Sequence, residues 1–115
     1  MRKAAWLLLL LLPAVAFTDS APAGKETFEK RCGGCHALDR DKEGPRLGKV
    51  YARTAGTVDS FQYSDALKKS KIVWKEDTLD KWLTDTEKLV PGNDMTFHVD
   101  KAEERKAIIE YLKKN

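Results

Sequence analysis

Two cysteines, two histidines and two methionines are all that this 115-residue chain holds of the side chains suited to soft metals and redox chemistry. A zinc site needs four ligands at workable spacings. Once Cys32-Gly33-Gly34-Cys35-His36 is set aside, His98 is the only other Cys or His, so zinc is a poor fit. A strong excess of one charge is also missing: 21 bases and 18 acids are interspersed. That balance argues against nucleic acid, which calls for a concentrated basic patch. No alternating apolar–polar run of any length occurs, so nothing predicts a sheet. The length allows one domain at most.

One apolar run stands out, at the N-terminus. Arg2-Lys3 precede an unbroken stretch from Ala4 to Leu12, followed by Pro13 and the small-x-small sequence Ala14-Val15-Ala16. This is the anatomy of a secretory signal peptide. The run is too short to cross a bilayer core, which takes about twenty residues, so no stable membrane anchor is expected. Residues 1–16 are read as the signal, with cleavage after Ala16 preferred and Ala21 or Ala23 as alternatives. Residues 17–23 then form a short tail and residues 24–115 the domain. Cleavage removes Arg2 and Lys3 from the 21 bases and none of the 18 acids, leaving a net charge of about +1. The destination expected is the bacterial periplasm.

Both cysteines and one histidine fall within the five residues 32–36. In Cys-x-x-Cys-His, two thiols can add to the vinyl groups on one edge of a haem while the next residue ligates the iron; it is a c-type haem attachment motif. A thioredoxin-like redox pair expects a cytosolic βαβ context. A Cys32–Cys35 disulfide would close a very short loop for little gain. The motif together with the export signal favours haem. A buried porphyrin adds apolar surface to a chain whose own core is modest at this size.

Elements follow in order. A helix begins near Gly24 and runs into the motif, with Phe28 its one large apolar residue. Residues 36–61 carry no sustained period and contain the turn signal Gly44-Pro45. A loop this long is acceptable where it wraps a cofactor. Ser64 is a candidate cap for a short helix over 65–69. Leu79, Trp82 and Leu83 lie at i, i+3 and i+4 in a helix over 76–84. Pro91-Gly92 opens an irregular stretch over 93–99. Asp100 with Glu103 resembles a capping box for a last helix striped by Ile108, Tyr111 and Leu112. The fold class is all-α. With Met1 lost in the signal, Met95 is the remaining methionine and a candidate ligand opposite His36. A lone Met is commonly a core filler, and His98 is the rival.

Gly24-x-x-x-Phe28, Cys32-x-x-Cys35-His36, Gly44-Pro45-x-Leu47, Trp74-x-x-x-Thr78-Leu79, Pro91-Gly92-x-x-Met95-x-Phe97 and Glu104-Arg105 through Tyr111-Leu112 occur in this order. In these the chain resembles class I cytochrome c, the small mitochondrial-like bacterial type, over essentially all of Gly24 to Leu112. The resemblance implies a fold in which N- and C-terminal helices cross, and short helices and long loops surround one covalent haem c. It implies Met95 as the sixth ligand and Pro45 as the carbonyl partner of His36. It implies Arg53, Tyr63 and Trp74 near the haem propionates and Phe97 beside the exposed haem edge. Leu47, Leu79, Trp82, Leu83 and Asn93 complete the implied haem pocket. Gly24 and Phe28 match the helix face that crosses near Ile108 and Tyr111. Four residues depart from the family pattern. Trp82 replaces a tyrosine, Asn93 a threonine, and Asp94 and Glu87 replace lysines. The docking lysines are thus only partly present, with Arg31, Lys88 and Lys101 as candidates.

The function expected is one-electron transfer by a soluble, monomeric carrier rather than an enzyme. Its partners would be redox proteins that dock transiently: a membrane cytochrome complex, an oxidase or a dehydrogenase. The alternative is a small haem enzyme or an enzyme-associated electron-entry subunit, which requires an open iron site or a catalytic domain.

Overall fold

The computed structural model describes residues 2–4, 9–14 and 23–115. Cleavage points Ala16 and Ala21, and all of the 17–23 tail except Ala23, lie outside the described residues. Residues 2–4 and 9–14 form no helix, and Leu9 to Leu12 are exposed. Among the described residues no helix is long and apolar enough to cross a membrane.

Among the described residues five helices follow one another: α1 Gly24–Cys32, α2 Asp65–Lys69, α3 Glu76–Thr84, α4 Thr86–Leu89 and α5 Ala102–Lys114. The only β pairing among the described residues is the isolated bridge between Thr54 and Val73. The domain is all-α, with a long turn-rich segment between α1 and α2.

Helices α1 and α5 cross and form the frame. A Cβ on Gly24 would lie 2.9 Å from the Ala107 carbonyl oxygen and 3.0 Å from Tyr111 Cβ, so only glycine allows this approach. One turn on, the Phe28 and Tyr111 rings pack with centroids 5.2 Å apart. Ile108, wholly buried, sits at the centre of the α5 face. Arg31 closes the crossing by donating twice to the Glu104 carboxylate, at 2.6 and 3.1 Å. Its hydrogen bonds hold Glu104 below the ordinary carboxylate range and raise Arg31 in turn.

Capping decides the helix starts locally. The Ser64 hydroxyl accepts from Leu67 N–H at 3.1 Å and starts α2 as expected. In α3 the Thr78 hydroxyl accepts from Lys75 N–H at 2.8 Å and donates to the Val73 carbonyl. Asp85 ends α3 and caps α4, its carboxylate accepting from Lys88 N–H. The expected Asp100 cap does not form. Helix α5 begins one residue later, with Lys101 at the cap position and no side-chain cap bond. Arg105 instead donates to the carbonyls of Val99 and Asp100 and to Asp80 of α3. That fixes the chain entering α5 through its backbone, and the Asp100 carboxylate lies 3.6 Å from His98.

Candidate functional site

The inner faces of α1, α3 and α5, together with the loops over 43–64 and 93–97, enclose a largely apolar cleft of about 440 Å³. Cys32, Cys35, His36, Pro45, Leu47, Arg53, Tyr63, Trp74, Leu79, Trp82, Leu83, Asn93, Met95 and Phe97 all line it. Gly24, Phe28 and Tyr111 lie outside, in the helix crossing, while Ile108 belongs to both. His98 does not line the cleft, and its side chain is mostly exposed.

The motif is delivered by the end of α1. Gly33 N–H continues the helical bonding to Phe28 and Glu29, and the His36 N–H then bonds back to the Cys32 carbonyl. This turn buries Cys32 and leaves Cys35 exposed at the mouth, 3.9 Å from the Glu43 carboxylate. Burial, with a smaller contribution from Cys35, pushes the Cys32 thiol up to about 12. A dithiol oxidoreductase needs a thiolate near neutral pH, so Cys32 is placed as a buried thiol and not as a redox nucleophile.

His36 is buried, and its Nδ1 lies 2.8 Å from the Pro45 carbonyl oxygen. Since a carbonyl only accepts, the proton sits on Nδ1 and Nε2 keeps its lone pair. Burial lowers the His36 pKa, Lys42 adds to the effect, and the Pro45 bond opposes it. The neutral imidazole is the ligating form. Gly44 makes this placement possible, because a Cβ there would lie 2.2 Å from His36 Cε1. Sequence reading treated Gly44 as part of a turn signal and of a family motif; its contact with the ring is tertiary.

On the cleft wall, Arg53 donates to the carbonyls of Gly48 at 3.2 Å and Arg46 at 3.0 Å. Burial lowers its pKa, with Tyr63 opposing, but a guanidinium stays charged throughout the working range. The Tyr63 hydroxyl accepts from Val58 N–H at 3.2 Å. Asp41 braces the same loop through Arg46 N–H and the Ser60 hydroxyl, which hold its carboxyl below the usual range. Trp74 and Trp82 pack together with centroids 5.3 Å apart.

Met95 sits on a wall of the cleft in an irregular segment opened by Gly92, whose φ of +84° favours glycine. Asn93 holds it from one side, donating to the Val90 carbonyl at 2.8 Å and accepting from Met95 N–H at 2.7 Å. Glu87 accepts from Gly92 N–H at 3.0 Å. From the other side the Thr86 hydroxyl donates to the Met95 carbonyl and accepts from Phe97 N–H at 3.1 Å. Thr86 and helix α4 had no sequence signal: four residues are too few to show a period.

Known proteins resemble the chain over most of its length. The family model for cytochrome c matches residues 21–115. A cytochrome c of Euglena viridis is 44% identical over 96 residues, covering 81% of this chain and 94% of its own. Cytochrome c2 iso-2 of Magnetospirillum molischianum is 43% identical over 96 residues, covering 81% and 95%. Among solved structures, cytochrome cH from Methylobacterium extorquens superposes with a TM-score of 0.77 at 37% identity, covering 83% of this chain and 98% of its own.

Proposed function

The chain belongs to the cytochrome c family, and from that premise we propose that it is an exported, periplasmic, monomeric carrier whose single haem is ligated by His36 and Met95. Its cofactor is haem c, its role is electron transfer rather than catalysis, and its partners are redox proteins that dock transiently.

The residues present fit the cofactor. Two unpaired thiols, one buried and one at the mouth, lie at one edge of an apolar cleft. Cys32 and Cys35 would hold the haem by addition of each S–H across a vinyl C=C, which gives a thioether and needs no leaving group. His36 presents a neutral imidazole whose other nitrogen is tied to Pro45. The held position of Met95 in the cleft wall is the observation that carries the carrier reading, because it offers a second ligand and closes the coordination. When bound, the haem supplies the Fe(III)/Fe(II) couple.

The chain's own residues set how that couple is used. A thioether ligand and an apolar lining both favour the reduced state and raise the potential. The backbone bonds around Met95 and His36 hold both ligands in place, which limits rearrangement on electron transfer. Phe97 and Cys35 mark the margin where electrons enter and leave. Arg53 offers a cation on the cleft wall for the acidic side of the macrocycle. Export follows the leader anatomy, and the periplasmic protein should begin between residues 17 and 24, as its intact mass will read.

The test is optical and electrochemical. The oxidised protein should show the weak near-infrared band of Met–Fe(III) ligation. Met95→Ala should abolish it and lower the potential markedly, while His98→Ala should change neither. A high-spin oxidised spectrum at neutral pH would sink the carrier reading in favour of an open-site haem enzyme.

A further inference from the structure

The Met95 segment is fastened by a side chain with no ligating atom of its own. Thr86, only 1% exposed, stands at the start of α4. Its hydroxyl spans two backbone groups that flank the cleft wall, the carbonyl of Met95 and the N–H of Phe97. Its own N–H points at the Phe97 carbonyl at 3.4 Å, so residues 95 and 97 are both joined to one residue. The other end of α4 is tied as well, since Val90 N–H bonds to the Thr86 carbonyl. The Val90 carbonyl in turn accepts from Asn93.

We infer that Thr86 is the positioning residue for Met95: its buried hydroxyl holds the Met95–Phe97 backbone against α4 and thereby sets how readily the thioether leaves the iron. The inference rests on the reading of Met95 as ligand. Release of the thioether by an outward swing of the segment breaks both hydroxyl bonds. A foreign ligand entering the cleft competes with those bonds as well as with the sulfur. Removing a buried hydroxyl that has two partners leaves both partners unsatisfied, a loss of stability. That loss falls on the closed state alone and eases displacement.

The experiment uses the oxidised, haem-loaded protein with imidazole as the entering ligand, following the near-infrared band. Thr86→Val keeps the shape and removes the hydroxyl; Thr86→Ser keeps the hydroxyl. The Val variant should retain the band without imidazole and lose it at roughly tenfold lower imidazole, about 1.4 kcal/mol. The Ser variant should titrate within about twofold of the parent. Complete loss of the band in Thr86→Val, with the Ser variant keeping it, supports the same assignment more strongly. Equal titration of the Val variant and the parent overturns it. So does equal loss in the Val and Ser variants, which would place the effect in packing. A lowered unfolding midpoint with unchanged imidazole affinity also overturns it, marking a merely structural residue. Met95→Ala separates the two readings: if that variant keeps the band, the ligand assignment itself has failed, whatever Thr86 does.

Discussion

At the scale of single residues, the site depends on what is absent as much as on what is present. His36 occupies space that any side chain at residue 44 would fill, with three ring atoms within 2.7 Å of a Cβ there. The ring cannot yield without breaking its Nδ1 bond to Pro45. Gly44→Ala should therefore disturb the iron ligand more than the fold, with a destabilisation of about 1–3 kcal/mol from overpacking. Thermal unfolding of the haem-loaded protein measures that cost. A parent-like midpoint and potential would show that the loop can move aside. Residues whose chemistry is intrinsic were legible in the sequence: Cys32, Cys35 and His36 announce themselves by spacing. Pro45 and Met95 drew meaning from a resemblance, and the structure places both on the cleft. Thr86 was not legible, because a threonine acquires its role only from the two backbone groups the fold brings to it.

At the scale of elements, helices with a period or a cap could be read directly. Helix α3 shows its apolar face at Leu79, Trp82 and Leu83, and α2 starts at its Ser64 cap. Asp100 misled because a cap-like spacing competes with Arg105, which holds the same chain by its carbonyls. The crossing of α1 and α5 carries a prediction of its own. Glu104 ionises more easily in the folded protein than in the unfolded chain because Arg31 donates to it. A depressed carboxylate contributes stability that is present above its unfolded pKa, about 4.3. That contribution is lost as pH falls from there through the folded value. Glu104→Gln should lower the urea midpoint at neutral pH. The variant and parent curves should then converge as pH falls below about 4. Curves that stay parallel down to pH 3 would show that the pair contributes nothing to the crossing.

At the scale of the whole molecule, the core and the cleft share residues. Leu79, Trp82 and Leu83 of α3 and Ile108 and Leu112 of α5 are buried and also line the cleft, so the apolar residues of two elements form core and cleft wall together. The long loop between α1 and α2 was legible as a cofactor wrap only by its lack of a period; its course was set by contacts such as Lys49 N–H on the Asn115 carbonyl. Replacing both cysteines by serine should prevent haem attachment and leave the mature chain without a cooperative thermal transition in circular dichroism. A sharp haem-free transition would refute that dependence. The surface around the cleft follows a different logic. With the leader removed the net charge is about +1, too small to steer a partner, so local charge near the mouth decides within a Debye length of about 8 Å. The exposed charged residues lining the cleft are Arg31, Glu43 and Asp94. Arg31 is engaged by Glu104, and Lys42, beside Glu43, has its ammonium on the Gly33 carbonyl at 2.8 Å. Glu43 and Asp94 have no ion-pair partner among the described residues, and Lys42 keeps its charge on a neutral carbonyl, so the mouth carries a local excess of one carboxylate. Electron exchange with a small cationic complex such as hexaammineruthenium should therefore slow as ionic strength rises, against the sign of the net charge. With anionic ferricyanide the dependence should be weak or reversed. Glu43→Lys with Asp94→Lys should invert both slopes, and a parent rate with the cation that rises with salt would show that the lysines farther from the cleft govern the approach.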